Sequence, residues 1–169
     1  FDLKNTNWKA HFDTNILGTE NVMKAAHQAG IRRVVHISSV AVYNKSGRAV
    51  TEETSQHQYR DNPKGWAVYS MSKAVSEQRA WAACKELGLQ LTCIRPSAIY
   101  GAFDPNAMRI FRRLWGRAVS VSVHGAIFPL VYAGDVAEAT AAAFEHDLSI
   151  GQSYNTAGAW ATLGEFFKG

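Results

Sequence analysis

Hydrophobic and polar positions change their spacing several times along the chain, and each change marks an element. Between Asp13 and Ala29, Ile16, Val22, Met23 and Ala26 recur at helical intervals. Asp13 or Thr14 is placed to cap this helix and Gly30 to end it. Ile31 to Ser38 follows as a short β-branched run, the composition of a buried strand. Val40 to Gly65 is polar and holds Asn44, Gly47 and Pro63, so it reads as a long loop. Trp66 to Leu87 is a second long, alanine-rich helix with Gly88 as its stop, and Leu89 to Ile94 is a second buried strand that Arg95-Pro96 is expected to break. Ile99 to Asn106 is irregular, Ala107 to Arg117 patterns as a helix, and Ala118 to Val123 and Phe128 to Tyr132 pattern as strands. Asp135 is set to cap a helix running to about His146, Ser153 to Thr156 is another short strand, and Thr162-Leu163-Gly164-Glu165 has capping-box spacing. Helices and short buried strands alternate, which predicts one α/β domain over residues 1–169 with a mainly parallel sheet.

Composition removes several function classes. A hydrophobic content of 47% and a charged content of 19% describe a globular chain rather than a disordered one. The net charge of +4 is mild, and the basic doublets Arg32-Arg33 and Arg112-Arg113 form no stripe with interleaved aromatics, so no nucleic-acid partner is expected. No stretch approaches the length of a membrane span. Cys84 and Cys93 are too few for a disulfide framework and lack metal-type spacing, which fits a reducing, cytoplasmic setting. The histidines show no metal spacing either, and His36 reads as a satisfied strand residue. Glu52-Glu53 reads as a solvated loop pair.

The candidate chemistry lies in Tyr69-Ser70-Met71-Ser72-Lys73, with Ser38-Ser39 at the end of the first strand. On a helix Tyr69 and Lys73 share a face. An ammonium one turn from a phenol favours the phenolate, so the pair can exchange a proton near neutral pH, as alcohol oxidation or carbonyl reduction requires. In open α/β sheets ligands sit beyond the carboxyl ends of the strands. Ser38-Ser39 ends one strand, Arg95-Pro96 through Gly101 follows the next, and the helix between them carries Tyr69 and Lys73. Three features thus converge on one sheet edge.

At this point the chain resembles the extended short-chain dehydrogenases/reductases, in the NAD-dependent epimerase/dehydratase group. The matching segments are Asn15 to Val22, His36 to Tyr43, Tyr69 to Lys73, Arg95 to Gly101, Val131 to Ala137 and Tyr154-Asn155, in the family's order. The resemblance implies a Rossmann-like, doubly wound fold and NAD or NADP as cofactor. It implies Tyr69 as acid or base at the substrate oxygen, Lys73 on the nicotinamide ribose, Ser39 on the same substrate oxygen, and Asn15 fixing the helix backbone and a proton-relay water. Ser38, Tyr69, Lys73, Pro96 and Ile99 would bind the cofactor, the last two along the nicotinamide. Asp135 would be structural. Tyr43 and Tyr100 would pack or position groups near the site. Segments around 101–127 and 151–169 would line the substrate pocket, and the Asn15 and Tyr69 helices would form a homodimer interface.

Two departures qualify this picture. The family's Gly-x-x-Gly-x-x-Gly turn, which receives the pyrophosphate, is absent, and with it the residue that selects NAD over NADP. The expectation is therefore a chain truncated at its N-terminus, the central and C-terminal part of a dinucleotide-binding domain. Its strand Val34 to Ile37 should be buried on both faces and want a neighbour on each side. The second departure is Ala98, where sugar-nucleotide members often carry asparagine. This leaves room for relatives acting on other ring alcohols and ketones, such as hydroxysteroid or dihydroflavonol types. Three readings follow: an NAD(P)-dependent oxidoreductase or epimerase acting on a small molecule, a non-catalytic dinucleotide sensor or scaffold on the same fold, or an inactive fragment of the enzyme.

Overall fold

The computed structural model describes residues 7–44, 51–61, 63–102, 127–158 and 160–162. The first helix begins earlier than its apolar spacing suggests. Asn7 caps it, its side-chain oxygen accepting from the Ala10 N–H at 3.3 Å. It runs as α1 (Trp8–His11), a π-helical stretch (Phe12–Leu17) and α2 (Gly18–Gln28) without a break in helical backbone. Asp13 and Thr14, the expected caps, lie inside the π stretch because Asn7 supplies the cap one turn and more upstream. The wider helical turn is visible in the Gly18 N–H, which reaches back five residues to the Asp13 carbonyl.

Strand β1 (Arg33–Ile37) pairs in parallel with β2 (Gln90–Pro96), which pairs in parallel with β5 (Ser153–Thr156). A second sheet joins β3 (Ala98–Tyr100) in parallel to β4 (Ile127–Tyr132), and β4 in antiparallel to β6 (Trp160–Thr162). The sheets are mainly parallel, as the alternating pattern requires. Ile99 and Tyr100, at the start of the segment expected to be irregular, belong to strand β3. The helix read at 107–117, the strand at 118–123 and the capping-box residues 163–165 lie outside the described residues.

Strand β2 does not break at Arg95-Pro96. The Cys93 and Ser97 N–H groups both donate toward β5, to Gln152 O and Thr156 O. The edge of Pro96 that lacks an N–H therefore faces β1, which has already ended at Ile37 opposite Ile94. No ladder bond is lost there, and proline is tolerated.

Helix α3 (Trp66–Leu87) follows its expected bounds, with Gly88 at its end in the left-handed region (φ 69°). It is enclosed rather than amphipathic: Val68, Met71, Ala74, Val75, Ser76, Glu77 and Ala80 are all buried. That explains its small side chains, which admit α2 on one side and the sheet on another. Met23 of α2, Ala80 and Cys84 of α3, and Leu91 and Cys93 of β2 form one buried cluster, against which Val34 and Trp81 pack. Ile16, Met71 and Val75 form a second, with Trp8 and Phe12 at its margin.

Helix α4 (Ala133–Glu145) lies on the opposite face of β1, where Val35 and Ile37 share an open groove with Val136 and Phe144. Asp135 sits in its first turn instead of capping it; the N-cap position belongs to Tyr132. A carboxylate there still favours the helix through the exposed N–H groups. Arg33 closes the other end, donating to the Ala143 carbonyl at 3.1 Å and to Asp147 at 2.7 Å. β1 is less buried than expected: its valines are half-buried and Ile37 is 40% exposed. The reason is its second edge, which has no partner among the described strands.

Candidate active site

The carboxyl ends of β1 and β2 bring the expected residues to one edge. Ser38 continues β1, its N–H donating to Ile94 O at 2.7 Å. Ser39 turns the chain away: its Oγ accepts from the Ala41 N–H at 3.1 Å and caps a short 3-10 turn at Val40–Val42. The turn is anchored by Val42 and Tyr43, both buried against Ala74 of α3. Across the edge, buried Pro96 ends β2, and Ile99 of β3 is 46% exposed.

Helix α3 joins this edge through Lys73. The ammonium donates to the Ile37 carbonyl at 2.9 Å, fixing the Tyr69–Lys73 face of the helix against the strand end that carries Ser38 and Ser39. Burial holds the Lys73 amine below the ordinary lysine range, and the Glu77 carboxylate works against that. His36 is pushed down to about 4 by burial and by the Lys73 charge, so it is neutral at physiological pH. Its Nε2 finds no hydrogen-bond partner among the described residues, where a satisfied strand histidine is expected.

Asn15 reaches the same helix from the π stretch. Its Nδ2 donates to Ser72 Oγ at 2.9 Å and approaches His11 Nδ1 at 3.4 Å. Ser72 Oγ in turn donates to the Tyr69 carbonyl at 2.9 Å. The His11 ring stands edge-on to the half-buried Tyr69 ring, with centroids 6.4 Å apart. The Asn15 carbonyl accepts from Thr19 Oγ1 at 2.6 Å.

Sequence reasoning missed the residues that hold these parts together. Arg95 and Glu77 form a buried ion pair, with Arg95 Nε at 3.1 Å from both carboxylate oxygens and Nη2 on Oε1. Arg95 Nη1 also donates to Tyr43 Oη at 2.7 Å and to Glu52 O at 3.1 Å. Tyr43 Oη donates to Asn155 Oδ1 at 2.6 Å, and the Asn155 N–H donates to Glu52 Oε1 at 2.8 Å. Gln56 Nε2 adds a bond to Glu77 Oε1 at 2.9 Å. Burial alone would push the Glu77 carboxyl up, but its hydrogen bonds, those from Arg95 first, together with the Arg95 charge hold the group below the usual carboxylate range. Glu52 is exposed in a turn, as a loop residue is expected to be, and it also ties the loop to Asn155 and Arg95. A charge inside the apolar run Leu-Thr-Cys-Ile-Arg-Pro was the available signal, since a strand arginine facing a core needs an acid.

Nearly the whole of this arrangement falls within a stretch, residues 2–157, that matches the NAD dependent epimerase/dehydratase family. The chain belongs to that family. Among relatives of the family, it is 37% identical over 114 residues to cinnamoyl-CoA reductase 1 of Petunia hybrida, covering 61% of this chain and 34% of that protein. It is 30% identical over 165 residues to sterol demethylase protein B of Methylococcus capsulatus, covering 93% of this chain and 47% of the relative. Among solved structures, the UDP-glucose 4-epimerase of Thermus thermophilus in complex with NAD superposes with a TM-score of 0.67 at 27% identity, over 89% of this chain and 51% of that one. The chain therefore spans about a third to a half of the length of these family members.

Proposed function

We propose that the whole protein is an NAD(P)-dependent oxidoreductase that interconverts an alcohol and a carbonyl, with Tyr69 as the acid or base. The observation that carries this is the 2.9 Å bond from Lys73 to Ile37 O, which sets the tyrosine's helix against the Ser38-Ser39 strand end. The residues present fit a dinucleotide. An ammonium has three N–H donors, and Lys73 spends one on Ile37. The others suit ribose hydroxyls, while exposed Ile99 offers an apolar surface for a nicotinamide ring. The cofactor, NAD or NADP, supplies the hydride when bound. Tyr69 gives a proton to the substrate oxygen in reduction and takes it in oxidation. Ser39 orients that oxygen; its own oxygen already accepts from Ala41, so its hydroxyl hydrogen is the part it offers. Asn15, through Ser72, steadies the turn of α3 that carries Tyr69.

The substrate class we favour is an aromatic or alicyclic carbonyl compound rather than a nucleotide sugar. Two observations support it: Ala98 brings no polar side chain to the edge, and both sequence relatives named above carry names outside sugar metabolism. Epimerisation of a nucleotide sugar is the alternative, favoured by the epimerase likeness. The same reading includes a cytoplasmic homodimer. Both cysteines are free and buried, and Val22 on α2 is 60% exposed beside the Glu20–Arg79 pair that links α2 to α3.

The test is an assay of the full-length protein with NADH and NADPH against cinnamoyl-CoA, cinnamaldehyde, cyclic ketones and UDP-glucose. Loss of the reduced nicotinamide's near-ultraviolet absorbance with a carbonyl compound supports the reading. Interconversion of UDP-glucose with no net cofactor consumption would favour the epimerase alternative.

A further inference from the structure

Lys73 is a cation held partly out of water, and the described groups that face it come from three elements. Tyr69 and Glu77 flank it on α3, one turn before and one turn after. His36 faces it from β1 and Cys93 from β2, with Arg95 of β2 bound to Glu77 behind. His36 is neutral near pH 7, and burial pushes the Cys93 thiol far up, so it is neutral as well. Glu77 is the one anion in this set. It is also completely enclosed, bonded by Arg95 and Gln56 and lying on the face of α3 that continues from Tyr69 and Lys73.

A buried ion pair is weak evidence of a stabilising role, because well-packed apolar residues of similar volume often serve stability as well or better. This pair does something an apolar pair could not. We propose that Glu77 is a positioning residue for Lys73, its counter-charge, and that Arg95 with Tyr43, Asn155 and Glu52 holds it in that place. The proposal rests on the reading of Tyr69 and Lys73 as the proton-transfer pair. In it, the arginine hub has two tasks. It neutralises most of the cost of burying Glu77, and it pins the chain just after Ser39, through Tyr43, to the strand and helix that carry the other site residues. Loss of the carboxylate leaves Lys73 among neutral or cationic neighbours, so it gives up its proton at lower pH.

The experiment measures the pH dependence of Lys73 reductive methylation by formaldehyde and cyanoborohydride, read by peptide mass spectrometry, in the full-length protein without cofactor. Glu77→Gln leaves Arg95 buried and unpaired, and its fold must be checked by circular dichroism. The double variant Glu77→Leu/Arg95→Met removes both charges and keeps the core apolar, so it stays testable when the single variant does not fold. The expected result is a lower labelling midpoint in both, larger in Glu77→Gln. A shift of one pH unit appears as about tenfold faster labelling below the midpoint. A folded double variant whose Lys73 labels with the wild-type profile overturns the proposal. Failure of the underlying reading shows differently, as unchanged turnover in Tyr69→Phe, a measurement that does not depend on Lys73 labelling.

Discussion

The amide of Asn15 donates to the hydroxyl of Ser72 at 2.9 Å, and that one bond ties the π-helical stretch to the helix carrying Tyr69. The hydroxyl passes the restraint on to the Tyr69 carbonyl. Because Ser72 lies one residue before Lys73 and three after Tyr69, the bond acts on the segment between them. π-helical turns are costly, and they persist where a local arrangement needs them.

Ser72→Ala removes the link without adding bulk. It costs about 1 kcal/mol, the usual net worth of such a bond. Steady-state kinetics of the full-length variant should show reduced turnover with cofactor affinity retained, since no cofactor-binding residue is altered. An unchanged turnover number, with the stability loss confirmed by urea unfolding, removes the link from the function of the site.

His36 gives a pH prediction with a definite sign. Its folded value, about 4, lies below the ordinary 6.5. Between those values the unfolded chain holds the proton and the folded one does not, so stability rises with pH across the window and falls as pH drops from 6.5 toward 4. By pH 4 the loss attributable to this residue is about 3 kcal/mol. His36→Val should flatten the wild-type acid limb by roughly that amount in urea titrations run from pH 4 to 8. An identical acid limb in the variant places the sensitivity elsewhere.

Gly88 ends α3 with φ of 69°, and a methyl group built on it meets nothing within 4 Å. Gly88→Ala therefore tests backbone strain alone. It should lower stability by about 1–2 kcal/mol, the cost of a left-handed residue with a side chain. Denaturant unfolding checks it, and an unperturbed midpoint would mean the helix end relaxes into another cap.

The regular elements were legible in the sequence because hydrophobic spacing and glycine stops are local signals. Trp66–Leu87 and Ser153–Thr156 appear with the bounds expected. Other boundaries escaped for local reasons as well. Asn7 outcompeted Asp13 as a cap because the helix extends a further turn and more through Trp8, Phe12 and Ile16, which pack on Met71 and Val75. Pro96 looked like a break because its sequence does not reveal which edge of the strand it faces. At the site, the Tyr69–Lys73 spacing and the serines were visible as motif residues. The Glu77–Arg95–Tyr43–Asn155 hub was not. Its members come from four separate segments; only Arg95, a charge inside an apolar strand, signals a partner, while Glu77, Tyr43 and Asn155 each alone read as ordinary surface or packing residues.

The central claim is that Tyr69 moves the proton while Lys73 and the strand ends hold it in place. The most direct measurement is hydride transfer by full-length Tyr69→Phe, followed in single-turnover mode with the carbonyl compound that the wild type reduces, alongside nicotinamide affinity from fluorescence titration. The account predicts a loss of rate on the order of a hundredfold or more, the usual contribution of a positioned acid or base, with affinity unchanged. Wild-type rates from the phenylalanine variant would contradict it.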